Sequence, residues 1–211
     1  MEFSPQPETR LPPEAAPAHS RHSHGLEQFA SQLQEGEAQF ILDLGGASQA
    51  NVGFVTSLGH RLYSEDFPRL LEGTFGARDG AAAQEISPAS IDDFLRQNLE
   101  FPEAHFDGAL LWDSLEFLDP PLLRAVVARL HRITKPGAHL LAFFHADERA
   151  ASLPVYSYQI LDAVTLRLAP RGTRRQVHVF NNRAVERLFE QFRSVKFFLA
   201  RDNLREVIVR R

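Results

Sequence analysis

Residues 41–48 read ILDLGGAS: an apolar run ends in Asp43, then come Gly45 and Gly46, then Ala47 and Ser48. Two residues without side chains let a backbone approach a ligand closely and accept positive φ. Ala47 and Ser48 keep that passage narrow. A helix opening just after them turns its unpaired N–H groups and positive end toward the same place. A dinucleotide loop spreads three glycines as G-x-G-x-x-G, and the later ones are missing here. Asp43 would repel a pyrophosphate and suits a ligand carrying a positive or zwitterionic group. Some 22 residues on, LYSED ends in Glu65 and Asp66. An acid closing the second strand of such a unit takes the two hydroxyls of a ribose.

Further along, FDGALLWD ends in Trp112 and Asp113, and HLLAFFH ends in His145. Asp113 either lines a site or caps the segment after its strand. His145 titrates near neutrality and could serve as a base or acceptor anchor, a satisfied structural histidine being the plainer reading. Tyr156 and Tyr158 share one face of a strand by period-two spacing, as a substrate wall or as packing. Arg167, Arg171, Arg174 and Arg175 make the same stretch basic, with Asp162 the nearby acid. That suits an anionic substrate or partner, or a solvated hairpin face. No aromatics interleave with these arginines, which argues against nucleic acid. His19, His22 and His24 offer at most loose metal binding in a solvated tail, and no metal site is assigned.

The elements that must position these residues follow from periodicity. Residues 38–44 read as a strand buried on both faces. Residues 51–58 have helical spacing and stop at Gly59. Residues 61–64 form a second strand, so 38–66 make a strand–loop–helix–strand unit. Between 68 and 90 the pattern suggests a loop with a helical turn, and a third strand is not evident. A helix capped at Ser90 runs to Asn98. A buried strand over 106–112 and a helix over 120–134 follow. Lys135-Pro136-Gly137 ends that helix before a strand over 139–145. Three strand-like runs lie between 150 and 180, a hairpin or small meander before a helix from Asn181 or Asn182 to Phe192. Strands over 194–199 and 204–210, with Arg201-Asp202-Asn203 turning between them, must pair antiparallel.

Taken in order, these motifs resemble the class I S-adenosylmethionine-dependent methyltransferases of the broad type 11 kind. ILDLGGAS stands where that family has its strand–acid–glycine loop, and LYSED where it has its ribose acid. LEFPEAHFDGALLWDSLEFL resembles the family's run into its fourth strand, RITKPGAHLLAFF its Pro-Gly turn into the fifth, and the closing hairpin its last two strands. The resemblance covers about residues 30 to 211. It implies an α/β, Rossmann-like three-layer sandwich. The sheet would be mostly parallel and seven-stranded, with an antiparallel last strand and a β insert at 150–180, a possible substrate lid. S-adenosyl-L-methionine is the implied cofactor. Asp43, Gly45, Gly46, Ala47 and Ser48 would line its methionine end, and Glu65 or Asp66 would hold the ribose. Asn98 and Leu99 would stand nearest the adenine. Trp112 would border the sulfonium, with Asp113 and His145 as candidate catalytic groups and Tyr156 and Tyr158 facing substrate. The chain departs from the family at Ala47 and Gln49, where it has glycines, and at Phe117, where a histidine is common.

Composition bounds the rest. The 211 residues suffice for one substantial domain, over 25–211, after a Pro- and His-rich tail expected to be disordered over 1–24. The net charge of -4 favours neither nucleic acid nor an anionic membrane, and no run approaches a membrane span. The absence of cysteine excludes disulfides and a thiol nucleophile. A cytoplasmic location is the default, and oligomeric state stays open. The leading expectation is methyl transfer to a small-molecule acceptor. The alternative is an inactive methyltransferase-fold module acting through its insert. A nicotinamide oxidoreductase is disfavoured by the missing glycines and the antiparallel final pair.

Overall fold

The computed structural model describes residues 17–33, 37–76, 86–147, 149–176, 178–198 and 204–211. Its centre is a six-stranded sheet. β2 (Phe40–Asp43) lies between β3 (Arg61–Ser64) and β4 (Phe106–Trp112), and β4 pairs β5 (Thr134–His145), all in parallel. β9 (Leu204–Arg210) runs antiparallel to β5, and β8 (Ser194–Phe198) antiparallel to β9. The order β3-β2-β4-β5-β9-β8 is a doubly wound plan closed by an antiparallel last strand. Seven strands are expected from the sequence and six are found among the described residues. The missing one would fall in the 68–90 stretch. There, a helix, α3 (Phe67–Phe75), stands where only a turn is expected, and residues 77–85 lie outside the described set.

Helices cover one face of the sheet. α4 (Pro88–Asn98), α5 (Pro120–Ile133) and α6 (Asn182–Leu188) join α3 over a core that includes Leu42, Phe67, Phe94, Phe106, Leu140 and Phe189. α5 illustrates the cause: its apolar Leu123, Val126, Val127, Leu130 and Ile133 recur at helical spacing, and prolines sit at its first positions. α4 starts earlier than Ser90, because Ser87 caps it with Pro88 inside the first turn. β5 also starts earlier than expected, at Thr134. Gly137 takes a φ of 89° inside it, so the Pro-Gly turn is absorbed into the strand as an irregularity.

The other face differs from a helical layer. It carries α1 (His24–Ala30), α2 (Gln49–Ser57) and a second sheet in the order β1-β7-β6. β6 (Ser152–Ile160) and β7 (Thr165–Arg175) form an antiparallel hairpin, and β1 (His19–His22) pairs β7. Residues 19–22 fall in the stretch expected to be disordered, so that expectation is corrected there; residues 1–16 lie outside the described set. Leu153, Val155, Tyr158, Ile160, Leu166 and Leu168 are all buried, so most of the hairpin is a packed layer. Burial switches from odd to even positions across the register shift between Val155 and Tyr156, a bulge that turns Tyr158 inward. Among the described residues, no helix is long and apolar enough to cross a membrane.

Candidate functional site

Asp43 ends β2 with no exposure to solvent. Its Oδ1 accepts the Gly45 N–H at 2.8 Å and the Trp112 indole Nε1–H at 2.6 Å, and its Oδ2 accepts the Asn51 amide at 3.0 Å. Burial pushes the Asp43 carboxyl above its ordinary range, and those three donors hold part of the shift back. Asn51, on α2, also donates to the Tyr158 carbonyl at 3.2 Å and accepts from the Ile160 N–H at 2.8 Å. One amide therefore ties the acid of β2 to the hairpin strand β6. Asn51 is a site residue that sequence reasoning missed, although a buried polar residue on an otherwise small and apolar helix face is a readable signal.

Trp112 takes a φ of 51°, in the left-handed region that bulky residues avoid. Such a conformation costs roughly 1–3 kcal/mol and persists only where the surroundings over-determine it. Here the indole is 1% exposed, stacks on Tyr158 with centroids 4.9 Å apart and planes 6° from parallel, and lies over Phe143 at 5.9 Å. The turn directs the ring onto the glycine loop. A Cβ placed on Gly45 would stand 2.6 Å from the indole Cδ1, so Gly45 makes room for tryptophan.

The loop is also closed on its other side. Glu65 N–H donates to the Asp43 carbonyl at 2.8 Å, Gly46 N–H to the Glu65 carbonyl at 3.1 Å, and Phe67 N–H to the Leu44 carbonyl at 3.2 Å. Gly46, with φ 88°, packs its open Cα side against the Asp66 side chain. Asp66 caps α3 by accepting the Arg69 N–H, and lies 3.7 Å from Arg171 of β7. These bonds zip the glycine loop to the loop carrying Glu65 and Asp66. Ala47 is exposed, and Ser48 occupies the cap position of α2, its carbonyl accepting the Val52 N–H at 2.9 Å while its side chain makes no cap bond. Glu65 is half-buried with its carboxyl pushed up by desolvation, and it shares a shallow cavity with Asp66 and Asn98. Leu99 has no exposure and belongs to the helical-face core, so it lines no ligand space.

A second buried polar group stands at the ends of β4 and β5. Asp113, Glu116 and His145 are 2%, 1% and 5% exposed. Glu116, in the 3-10 turn Ser114–Phe117, accepts the His145 N–H at 2.7 Å and meets His145 Nδ1 at 2.5 Å. Burial, with the Glu116 charge adding to it, pushes the Asp113 carboxyl up to about 7. The Tyr156 N–H approaches Asp113 Oδ2 at 3.4 Å, and the buried Tyr158 phenol faces the same carboxyl. That phenol is pushed well above its ordinary range by burial and by the Asp113 charge. The structure thus brings together Asp43, Gly45, Trp112 and Tyr158, and separately Asp113, His145 and Tyr158. The expected pair Tyr156 and Tyr158 does share a face, with rings 6.1 Å apart, but Tyr158 is a core residue. Glu116 was missed because an acid beside an aromatic in SLEF reads as a solvated turn.

Beside the cavity that Glu65, Asp66 and Asn98 share, there is a second open space. A cavity of about 310 Å³ sits between α3, the 3-10 turn and the open end of the hairpin, away from its turn. Arg69, Arg171, Arg174 and Arg175 line it, over an apolar floor that includes Phe75 and Phe117. Glu72 takes Arg174 at 3.3 Å, and Arg174 lies over the Phe117 ring.

No family model matches the chain, and no curated protein does either. Solved structures do show similarity. An S-adenosylmethionine-dependent methyltransferase from Methanosarcina mazei is 17% identical, with a TM-score of 0.49 over 86% of this chain and 95% of its own. One from Archaeoglobus fulgidus is 13% identical, with a TM-score of 0.49 over 88% and 94%. The Burkholderia thailandensis 1,6-didemethyltoxoflavin-N1-methyltransferase, solved with its substrate and S-adenosylhomocysteine, is 14% identical, with a TM-score of 0.45 over 88% and 76%. The mostly parallel sheet with an antiparallel last strand is what the sequence resemblance implied, with six strands among the described residues where seven were expected.

As placed, the chain's own groups occupy the glycine loop. Every oxygen of Asp43 is taken by a protein donor, the open side of Gly45 is covered by the Trp112 ring, and the two loops that would flank a ribose are bonded to each other.

Proposed function

We propose that this chain is a binding module on the methyltransferase plan, with its own tryptophan in the place where the resemblance puts the cofactor. The bond from Trp112 Nε1 to Asp43 Oδ1, with Gly45 beneath the ring, is the observation that supports this most directly. The ligand place is then the arginine-lined cavity at the open end of the hairpin. Arg171 and Arg174 are engaged by Asp66 and Glu72, while Arg69 and Arg175 have no carboxylate partner among the described residues. Two guanidinium groups above an apolar floor suit an anion on an aromatic or aliphatic body. Anilinonaphthalene sulfonate is a probe of that chemistry. It should bind the folded chain saturably and lose most of its affinity in the double variant Arg69→Gln/Arg175→Gln. Equal binding by that variant would overturn the assignment.

A second reading has its own support. The strand order, the position of Asp43 before Gly45, and the Asp113–Glu116–His145 group at the ends of β4 and β5 all suit S-adenosylmethionine-dependent transfer to a small-molecule acceptor. That reading needs Trp112 to leave Asp43. Calorimetry separates the two: micromolar S-adenosylmethionine binding by the unaltered chain supports the enzyme, and no heat at millimolar cofactor supports the module.

A further inference from the structure

The junction between the two sheets holds three ligand-type atoms around one point. His22 Nε2 lies 3.3 Å from His24 Nδ1, His24 Nδ1 lies 3.3 Å from Glu27 Oε2, and His22 Nε2 lies 3.7 Å from the same oxygen. A tetrahedral zinc site with bonds of about 2.0–2.1 Å has its ligand atoms about 3.3–3.4 Å apart. The triangle therefore has close to the dimensions of one face of such a tetrahedron. Two imidazoles and one carboxylate are also a ligand set that borderline divalent metals accept. All three side chains are about half exposed, which leaves the fourth direction to water.

The backbone carrying these atoms is fixed from below. Ser23, between the two histidines, has no exposure; its N–H donates to the Val164 carbonyl at 2.8 Å and its hydroxyl to Glu206 Oε2 at 3.0 Å. The Gly25 N–H donates to the same oxygen at 2.5 Å, and Arg21 pairs with the other oxygen. Glu206 is itself 2% exposed, so a buried acid of β9 clamps the turn from β1 into α1. Ser23 Oγ also caps α1 by accepting the Leu26 N–H, which fixes the first turn that carries Glu27. A loose tail would bring His22, His24 and Glu27 together only at a cost in chain entropy, and here that ordering is already done by other groups.

We propose that His22, His24 and Glu27 form a site for a divalent transition metal of the zinc class, completed by water. Bound metal ties β1 of the hairpin sheet to α1 on the main body. The site is independent of the reading given for the glycine loop. Zinc titrated calorimetrically into the chelator-treated full chain should bind at one equivalent and raise the melting temperature. His24→Ala, His22→Ala and Glu27→Gln should each weaken binding by ~10-fold or more, at least as much as loss of an outer-sphere partner does, while His19→Ala should leave it unchanged. Binding that survives the double variant His22→Ala/His24→Ala overturns the proposal. So does equal affinity of the urea-unfolded chain, which would mark an unstructured histidine tail, or no binding at millimolar zinc.

Discussion

Replacing Asp43 separates a residue kept for a ligand from one kept for the fold. An aspartate waiting for a cofactor is commonly neutral or costly for stability, and its removal leaves folding unchanged or improved. Asp43 instead accepts three protein donors in a fully buried position. In Asp43→Asn the side chain offers one oxygen and one NH2 where the carboxylate offers two oxygens. Whichever way the amide turns, its NH2 faces a donor, either the Asn51 amide or the Gly45 and Trp112 N–H groups. The better orientation, with the NH2 toward Asn51, loses one hydrogen bond to a charged acceptor, worth ~1.5–3 kcal/mol. Relief of the buried charge returns part of this, since burial raises the Asp43 pKa. The expected net loss for Asp43→Asn is about 2 kcal/mol, which in a chain of this size lowers Tm by roughly 4–8 °C. Asp43→Ala leaves Trp112 Nε1 and Gly45 N without an acceptor, while Asn51 keeps the Tyr158 carbonyl; it should cost ~3–5 kcal/mol. Urea unfolding curves with an unchanged slope measure both. Equal or higher stability in either variant would refute the structural role and return Asp43 to the ligand.

Gly45→Ala should destabilise by ~1–3 kcal/mol through overpacking, and the loss should shrink in Gly45→Ala/Trp112→Ala, because the new methyl meets the indole itself. Asp113→Asn should change the pH dependence of stability. The folded-state pKa of about 7 lies above the ordinary 3.8, so the folded chain holds a proton that the unfolded chain releases. Stability from this group is present below pH ~4 and falls as pH rises toward 7, by up to roughly 4 kcal/mol. The asparagine variant should therefore match the parent near pH 4 and exceed it at pH 8, and parallel stability curves across that window would contradict the assignment. Glu116→Gln should cost ~3–5 kcal/mol at neutral pH, since it breaks the buried contact with His145 and weakens the bond from its N–H; denaturant midpoints check it.

Much of the plan was legible in the sequence because each element carries a local cause. Phe106–Trp112 reads as a buried strand from its apolar run, α5 from its stripe and prolines, and β8 and β9 from strands too close for a crossover. The loop acid and its glycines were legible as a pattern. What they touch was not. Trp112 ends its strand, where backbone direction is set by packing, and only its left-handed φ sends the ring back onto Gly45. The hairpin's burial depends on one bulge at Val155 and Tyr156 that shifts the period-two face, and no residue type there announces it. α3 was missed because a stretch rich in glycine carries little helical signal, yet Asp66 as cap and Pro68 in the first turn were sufficient cues. β1 was missed because its four polar residues gain stability only by pairing with β7 and through the Glu206 clamp.

Trp112 is the sole tryptophan of the chain, so its fluorescence reports on the place in dispute without interference. The most direct test is emission and acrylamide quenching of that residue during titration with S-adenosylhomocysteine. A ring held on Asp43 and Gly45 should emit as a buried indole, resist quenching, and stay unchanged to millimolar ligand. A saturable shift toward solvent-exposed emission with rising quenching would show that the ring yields to the cofactor, and would contradict the account.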